Sequence, residues 1–404
     1  MNKNIKKMVL VILFLATPLH AAPMRGPAGD LWADIVIGKS GFGEATENDP
    51  DAKRLFNVGG VLVDHSVTPN RLFVYDSGNN RVLVVNSIAN LTEGISANFA
   101  LGQPDLIHSA ANGDSNFQNY PLAAIPSANT LQTMAQDQIS LTEGGSFATM
   151  AVDSQGNLYV PDFFNNRVLR YNTPFTANEA AVAVWGQPDF SSNLCNRGGI
   201  PASNSFCLNG GHDGFGAGVA VDAQGNLWVA DDGNNRLLRF PFNSSTGLPG
   251  AFADLVLGQT DFNSNQEASP GDLIHLRTPT SVRVDNSGKV YATDIPLLPT
   301  PIPGGQDCYK YDGQILIFAP PLSTGMAATQ VLKQGLANPG GLELDTTTNG
   351  IWVADFCTHQ TLLFVNGVVQ KVLGQDQPST IRDCIGHSFV PSGPPFVYDD
   401  ATTI

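Results

Sequence analysis

Three histidines occupy comparable places in the sequence and are the side chains best suited to metal chemistry. His212 and His275 each lie ten positions before an aspartate that ends an apolar segment, namely Asp222 and Asp285. His387 lies in a comparable segment near the C-terminus. Because imidazole nitrogen binds zinc, one hypothesis is a metal site made by these three histidines. The alternative is that all three are solvated loop residues that hold no ion.

Carboxylates offer a second kind of metal chemistry. Asp231 and Asp232 are adjacent in a turn, and Asp114 and Asp213 lie in loops. Their hard oxygens suit calcium, but the sequence contains no EF-hand spacing and no calcium-binding nonapeptide repeat. Asp232 is therefore kept as a candidate binding residue without a defined ion.

Aromatic residues stand where small turn residues are expected. Phe163 and Phe164 replace the Ser-Gly of the related stretch DSGNN, and Phe356 is similarly placed. Exposed aromatic rings often mark recognition of a partner or a sugar, so these three residues are candidate binding residues. Packing beneath neighbouring loops is the alternative.

Common catalytic motifs are missing from the sequence. It contains no GxSxG elbow, no phosphate-binding P-loop, no HExxH and no CxxC pair. These absences argue against the usual serine hydrolases, nucleotide-binding enzymes, zinc proteases and thioredoxin-like proteins.

The candidate residues sit within a repeated unit of short apolar strands. A first strand ends in aspartate in GVLVD, TMAVD, GVAVD, SVRVD and GLELD, and a second strand does so in LFVYD, LYVPD, LWVAD, VYATD and IWVAD. A fourth strand is announced by an apolar run that reaches Gly-Gln, as in FALGQPDL, AVWGQPDF, LVLGQTDF and KVLGQDQP. Four short strands per unit, repeated along the chain, predict an all-β fold, a β-propeller of four-stranded blades.

The stretch GVAVDAQGNLWVADDGNNRLLRF resembles the NHL repeat of six-bladed β-propellers, and the resemblance covers most of the chain from about Leu31. Three units carry the Asp-x-x-Asn-Asn-Arg signature in full, one has an insertion at that turn, and one lacks Asn-Asn-Arg. The signature is interpreted as structural because Asn and Asp bond turn amides and Asn tolerates left-handed angles. Its residues are Asp76, Asn79, Asn80 and Arg81, then Asp162, Asn165, Asn166 and Arg167, then Asp231, Asn234, Asn235 and Arg236.

The ends of the chain bear on the number of blades. ADIVIGKSGF reads as a fourth strand with no blade before it, and PFVYDDATTI echoes a second strand and then stops. Six blades are expected, the last one either incomplete, as a C-terminal truncation would leave it, or completed by the N-terminal strand near Asp34 to Ile37. A five-bladed ring is the alternative.

Long insertions concentrate at one mouth of the predicted ring. Turns from the second to the third strand and connections between blades open on the same face, and the insertions fall at 103–147, 187–216, 259–279 and 295–309. Because loops on a rigid scaffold usually carry binding residues, a protein, peptide or glycan ligand is expected at this insertion-bearing face.

The first residues predict export. Three lysines precede an apolar run and then Ala21 and Ala22, the layout of a secretory signal peptide at residues 1–21, followed by one propeller domain at 22–404. The run is too short to span a bilayer, so a secreted or periplasmic protein is expected. The net charge of −15 disfavours nucleic acid as a partner.

Five cysteines fit an oxidising compartment and leave one thiol over after two bridges. Cys195 and Cys207 share one loop rich in Gly, Asn and Ser and are expected to form a disulfide. The pairing of Cys308, Cys357 and Cys384 stays open.

Two functions follow. The first is a non-enzymatic binding scaffold without a cofactor. The second, implied by resemblance to gluconolactonases and peptide-amidating lyases with related blades, is a propeller hydrolase or lyase that holds calcium or zinc near the central channel.

Overall fold

The computed structural model describes residues 35–39, 50–89, 91–92, 94–113, 124–134, 146–210, 216–297 and 311–374. Their regular structure consists of β-strands and single 3-10 turns. No helix in these residues combines the length and the hydrophobicity that a bilayer crossing requires. The all-β prediction is confirmed.

The strands form five blades, each with four antiparallel strands that follow chain order, and the sheet of blade 3 has an added fifth strand. Blade 1 contains β1 (Val58–Asp64), β2 (Arg71–Asp76), β3 (Arg81–Val85) and β4 (Phe99–Leu101). Blade 2 contains β6 (Ala151–Val152), β7 (Leu158–Asp162), β8 (Arg167–Tyr171) and β9 (Ala183–Trp185). Blade 3 contains β10 (Gly216–Val221), β11 (Leu227–Asp231), β12 (Arg236–Phe240) and β15 (Leu255–Leu257). Blade 4 contains β16 (Val282–Val284), β17 (Val290–Asp294), β18 (Gln314–Phe318) and β19 (Gln330–Leu332). Blade 5 contains β20 (Pro339–Asp345), β21 (Gly350–Asp355), β22 (Gln360–Val365) and β23 (Val368–Leu373).

Three short strands lie outside this scheme. β5 (Phe147–Thr149) precedes blade 2 but pairs in parallel with β10 of blade 3. β13 (Phe242–Asn243) and β14 (Leu248–Pro249) form a hairpin within the connection from β12 to β15.

Consecutive blades pack face to face because their middle strands are apolar on both sides. Separate buried clusters join blades 1 and 2, blades 2 and 3, blades 3 and 4, and blades 4 and 5. The cluster between blades 2 and 3, for example, contains Phe163, Trp185, Phe206 and Phe240. This radial stacking of sheets confirms the propeller.

The first strands of the blades meet at the centre, where β5 contacts β1, β10 and β20. Glycine makes this approach possible. A β-carbon on Gly59 would lie 2.1 Å from the carbonyl oxygen of Ser146, and one on Gly60 would lie 2.0 Å from that of Ala148. Both distances are far inside van der Waals contact, so side chains larger than hydrogen cannot occupy these two positions without moving β5.

The described residues hold five blades. None of their buried clusters joins blade 5 to blade 1. Residues 35–39 form no strand, and Ile37 packs against blade 1 instead. The expected sixth blade falls on Asp34 and on residues 375–404, which lie outside the described residues, as does the predicted signal peptide.

The predicted disulfide between Cys195 and Cys207 is confirmed and closes a loop with a sequence separation of 12. Cys357 is disulfide-bonded as well. Cys308 and Cys384 lie outside the described residues.

Candidate functional site

The repeated Asp-x-x-Asn-Asn-Arg turns lie between the second and third strands of blades 1 to 3. Each turn is a single 3-10 turn that ends on the second asparagine, and this residue has left-handed angles, with φ of 51° at Asn80, 51° at Asn166 and 53° at Asn235. The first asparagine donates its side-chain amide to the aspartate that ends the second strand, at 2.8 Å in all three blades. The turn therefore needs a residue that tolerates positive φ at one fixed position.

The arginine of each turn is a fully buried clamp. In blade 3, Nε of Arg236 donates to Oδ2 of Asp231 at 2.8 Å, and Nη2 donates to the carbonyls of Ala202 and Ser205 at 3.0 Å each. The other carboxylate oxygen, Oδ1 of Asp231, accepts the backbone N–H of Cys207 at 2.8 Å. The ion pair thus fastens the long connection from blade 2 to the body of blade 3.

Blades 1 and 2 repeat this clamp. Nε of Arg81 lies 2.7 Å from Oδ2 of Asp76, and Nε of Arg167 lies 2.7 Å from Oδ2 of Asp162. In each case Nη2 bonds two carbonyls of the preceding connection. A buried charge left without its partner is expensive, so these pairs hold the connections firmly.

Two sets of side-chain hydrogen bonds to the Asp-x-x-Asn-Asn-Arg turns are not evident from residue types alone. In blades 1 to 3 the glutamine of the fourth-strand Gly-Gln pair donates to the carbonyl of the left-handed asparagine, from Gln103 to Asn80, from Gln187 to Asn166 and from Gln259 to Asn235. The recurrence of Gly-Gln was the signal that could have revealed this role. Asn112 and Asn196 also exchange paired amide bonds with Asn165 and Asn234, respectively.

Blades 4 and 5 replace the clamp with neutral partners. Asp294 in blade 4 accepts the amide of Gln314 at 2.7 Å and the backbone N–H of Arg277 at 2.6 Å. Burial raises the pKa of Asp294 to about 7, because these hydrogen bonds offset only part of the desolvation of its charged form. In blade 5, burial likewise raises the pKa of Asp355, whose carboxylate accepts backbone N–H groups of Ala337 and Thr358.

The centre of the ring is filled within the described residues. The ring of Phe147 in β5 lies 5.8 Å from that of Phe356 in blade 5. Arg283 of blade 4 and Glu343 of blade 5 form an ion pair at 2.9 Å. Between the first strands a cavity of about 20 Å³ remains, which is room for a single water molecule.

The aromatic candidates are less exposed than expected. Phe163 is only 2% exposed and belongs to the core between blades 2 and 3, so the expectation of a wet ring is wrong for this residue. The large ring of Phe163 turns inward into this core instead of facing solvent. It makes an edge-to-face contact with the ring of half-buried Phe164, with the two ring centres 4.9 Å apart. Phe356 is also half-buried and packs beside Cys357.

The structure describes only some of the candidate metal-binding residues. Nδ1 of His275 lies 2.7 Å from Oδ2 of Asp272. His212 and His387 lie outside the described residues, as do Asp114 and Asp213. Asp231 is engaged by Arg236, and Asp232 is buried. Among the residues that the structure describes, no three His, Cys, Asp or Glu side chains are grouped to hold a metal ion.

Large exposed aliphatic side chains concentrate on the insertion-bearing face. Seven of the eleven exposed large apolar residues in the described part of the chain lie in connections that open there: Ile107, Ile125, Leu194, Ile200, Leu273, Ile274 and Leu297. Ile125 is 74% exposed and Ile200 is 70% exposed. Both precede a proline and lie in segments gripped by clamp arginines of blades 2 and 3. The most exposed apolar groups therefore sit on firmly held loops.

These features define a β-propeller in which blades 1 to 3 each have a buried Asp–Arg clamp that holds the connection preceding the blade. Residues 217–240 match the NHL repeat, so this propeller contains at least one such repeat, in blade 3.

The chain is similar to several solved structures at low sequence identity. A gluconolactonase from Xanthomonas campestris is 17% identical with a TM-score of 0.32, over 56% of this chain and 61% of that enzyme, so this chain spans less than two thirds of its length. Hydrazine synthase from Kuenenia stuttgartiensis is 11% identical with a TM-score of 0.39, over 80% and 78% of the two chains. A virginiamycin B lyase from Staphylococcus aureus is 10% identical with a TM-score of 0.37, over 80% and 71%. No curated protein matches the sequence significantly.

Proposed function

We propose that the protein is an exported binding scaffold that holds a protein partner on its insertion-bearing face. The observation that carries this proposal is the concentration of exposed aliphatic side chains on that face, headed by Ile125 and Ile200. Exposed apolar groups mark interaction sites when they gather on one surface. The signal-like N-terminus supports secretion or a periplasmic location.

The kind of side chain favours a protein over a glycan. Sugars stack on exposed aromatic rings, but the large exposed apolar residues that the structure describes on the insertion-bearing face are all Ile or Leu. Among the described residues, the two large exposed aromatic side chains, Phe242 and Phe252, lie in the connection from β12 to β15, which opens on the opposite face. Aliphatic groups at loop tips are suited to insert into apolar depressions of a partner protein.

The rival function, a hydrolase or lyase with calcium or zinc near the channel, has less support. Ligand pockets typically enclose roughly 300–1,000 Å³, whereas the cavity among the described first strands measures about 20 Å³. A substrate at the axis would have to displace Phe147 or part the ion pair of Arg283 and Glu343. A surface scaffold requires neither change.

Two matched variants test the proposal. Ile125→Ser with Ile200→Ser removes apolar groups from the insertion-bearing face, and Phe242→Ser with Phe252→Ser removes comparable groups from the other face. Both proteins and the wild type are immobilised and exposed to the extracellular fraction of the source organism, and retained proteins are quantified by mass spectrometry. We expect a specific partner that the isoleucine variant loses and the phenylalanine variant keeps, because only the first pair lies in the proposed interface.

Equal retention by the two variants would refute the assignment of the face. The rival function has its own test, which is the metal content of the purified protein together with hydrolysis of simple aldonolactones. About one tightly held calcium or zinc ion per chain, with lactone turnover that a chelator abolishes, would favour the enzyme.

A further inference from the structure

A second surface feature lies on the face opposite the insertions, between blades 2 and 3. It is an open groove of about 530 Å³. One wall is the end of blade 2 around Asn172 and Val182, and the other is the hairpin of β13 and β14. The indole N–H of Trp185 donates to the carbonyl of Gly250 at 3.0 Å and fixes the hairpin against blade 2.

An arginine at this groove has a counterpart in the next blade, which allows a direct comparison. Arg170 in β8 pairs with Tyr159 of β7 and with Ala183 of β9. Arg239 in β12 pairs in the same way with Trp228 of β11 and with Leu255 of β15. Each guanidinium carbon lies 5.8 Å from the centre of the ring on the preceding strand. The two arginines are therefore equivalent in the repeat.

Their acidic partners differ. In blade 3, Nε and Nη2 of Arg239 donate to the two carboxylate oxygens of Asp254, at 2.9 Å each. The residue at the corresponding place in blade 2 is Val182, since Val182 and Asp254 each donate a backbone N–H to the carbonyl of their arginine. Val182 is 48% exposed and lines the groove. Blade 2 thus has an apolar residue where blade 3 has the carboxylate.

Arg170 is left with an incomplete set of partners. Nη1 donates to the side-chain oxygen of Asn172, and Nη2 donates to Oδ2 of Asp153 in a long ion pair of 3.4 Å. Nε is buried and has no hydrogen-bond partner. The residue as a whole is only 7% exposed. A buried guanidinium without a full set of acceptors is costly, and a carboxylate delivered from the groove would supply what Asp254 supplies in blade 3.

We propose that this groove binds a small molecule through its carboxylate group, which pairs with Arg170 in the way that Asp254 pairs with Arg239. The rest of the lining suits a polar ligand with one apolar edge. Gln155, Asn157 and Thr246 offer hydrogen bonds, and Val182 and Leu248 offer apolar contact. None of the residues that line the groove is acidic, in a protein whose net charge is −15.

Two sources could present such a carboxylate, a hexuronic acid or the free C-terminus of a peptide. Calorimetric titration of the intact protein with sodium glucuronate is compared with glucose, and an N-acetylated dipeptide acid is compared with its amide. We expect binding of at least one acid and no binding of its neutral counterpart. The pair that shows this difference identifies the source.

Variants of the two equivalent arginines connect the binding to the groove. Arg170→Gln should weaken binding of the acid by about tenfold or more, the range expected for loss of a hydrogen bond to a charged group. Arg239→Gln is the matched control and should leave the affinity unchanged. Val182→Asp gives blade 2 its own carboxylate and should also abolish binding, and this variant retains the arginine if Arg170→Gln fails to fold.

The proposal is overturned if neither acid binds in preference to its neutral counterpart. It is also overturned if a bound acid is unaffected by Val182→Asp, or if Arg239→Gln weakens binding as much as Arg170→Gln does. None of these results bears on the partner proposed for the insertion-bearing face, because the groove lies on the other face and its variants leave Ile125 and Ile200 intact.

Discussion

The left-handed asparagine of the repeated turn provides the sharpest test of how these blades are held. Asn235 has φ of 53° and ψ of 44°. Its Oδ1 accepts the backbone N–H of Thr278 at 3.0 Å, and its Nδ2 donates to the carbonyl of Asn265 at 3.1 Å. Replacing Asn235 with valine changes both the backbone preference and these two bonds.

The size of the effect follows from these two contributions. A left-handed backbone costs an L-residue about 1–2 kcal/mol, and a β-branched side chain is among the least tolerant. Leaving the buried N–H of Thr278 without an acceptor costs about 1–3 kcal/mol. Asn235→Val should therefore lower the free energy of unfolding by about 2–5 kcal/mol. Asn235→Gly keeps the backbone angles and loses only the bonds, so it should cost about 1–3 kcal/mol.

Urea unfolding monitored by far-UV circular dichroism measures both variants against the wild type, with the slope checked for equality before the midpoints are compared. The difference between Val and Gly isolates the backbone contribution, since both lack the amide. If the two variants unfold within about 0.5 kcal/mol of each other, left-handed strain is not the reason for asparagine at this position.

Three further predictions concern buried charges and the disulfide. Because the folded state keeps a proton on Asp294 up to about pH 7 while the unfolded chain releases it near 4, the wild type should lose stability as pH rises through this interval. Asp294→Asn should remove that loss and gain at most about 4 kcal/mol at pH 8, and equal urea midpoints for the two proteins at pH 8 would contradict this. Arg236→Met leaves Asp231 buried without its cation and should lower the free energy of unfolding by about 3–5 kcal/mol. Adding Asp231→Asn should recover much of this loss. A double mutant as unstable as the single mutant would argue against a role for the ion pair. Cys195→Ser with Cys207→Ser frees a short loop and should cost about 3 kcal/mol in thermal unfolding, and reductant should destabilise the wild type more than the variant, since both proteins keep the disulfide of Cys357 but only the wild type has the loop disulfide.

The architecture was accessible from sequence because each blade repeats local signals. Strands that end in Asp occur in five units, turns with Asn-Asn in three of them and runs that reach Gly-Gln in four, and each signal is set by neighbours in the chain. The loop disulfide was accessible for the same reason, as Cys195 and Cys207 lie close in sequence. Local spacing carries such information well.

The contacts that shape the surfaces are not local. Arg236 grips carbonyls of Ala202 and Ser205, more than thirty residues earlier, and nothing in the spacing of Asp-x-x-Asn-Asn-Arg names these acceptors. Phe163 is buried in a cluster with Phe206 of the connection between blades 2 and 3 and with Phe240 of blade 3. The filled centre depends on β5 leaving blade 2 to pair with β10. Each depends on where two distant segments meet, which residue types do not encode.

The distribution of clamps suggests how one scaffold serves two kinds of surface. The charged clamps occur in blades 1 to 3, where they hold the connections that carry Ile125 and Ile200, while blades 4 and 5 satisfy the same aspartate with neutral partners. Loops fixed in this way lose little conformational entropy on binding, which favours affinity. On the opposite face, blades 2 and 3 differ in the residue beside their third-strand arginine. Blade 3 has the acid Asp254 at this position, and blade 2 has Val182. Variation at one position of a repeat thus creates a local site without disturbing the clamps that hold the blades.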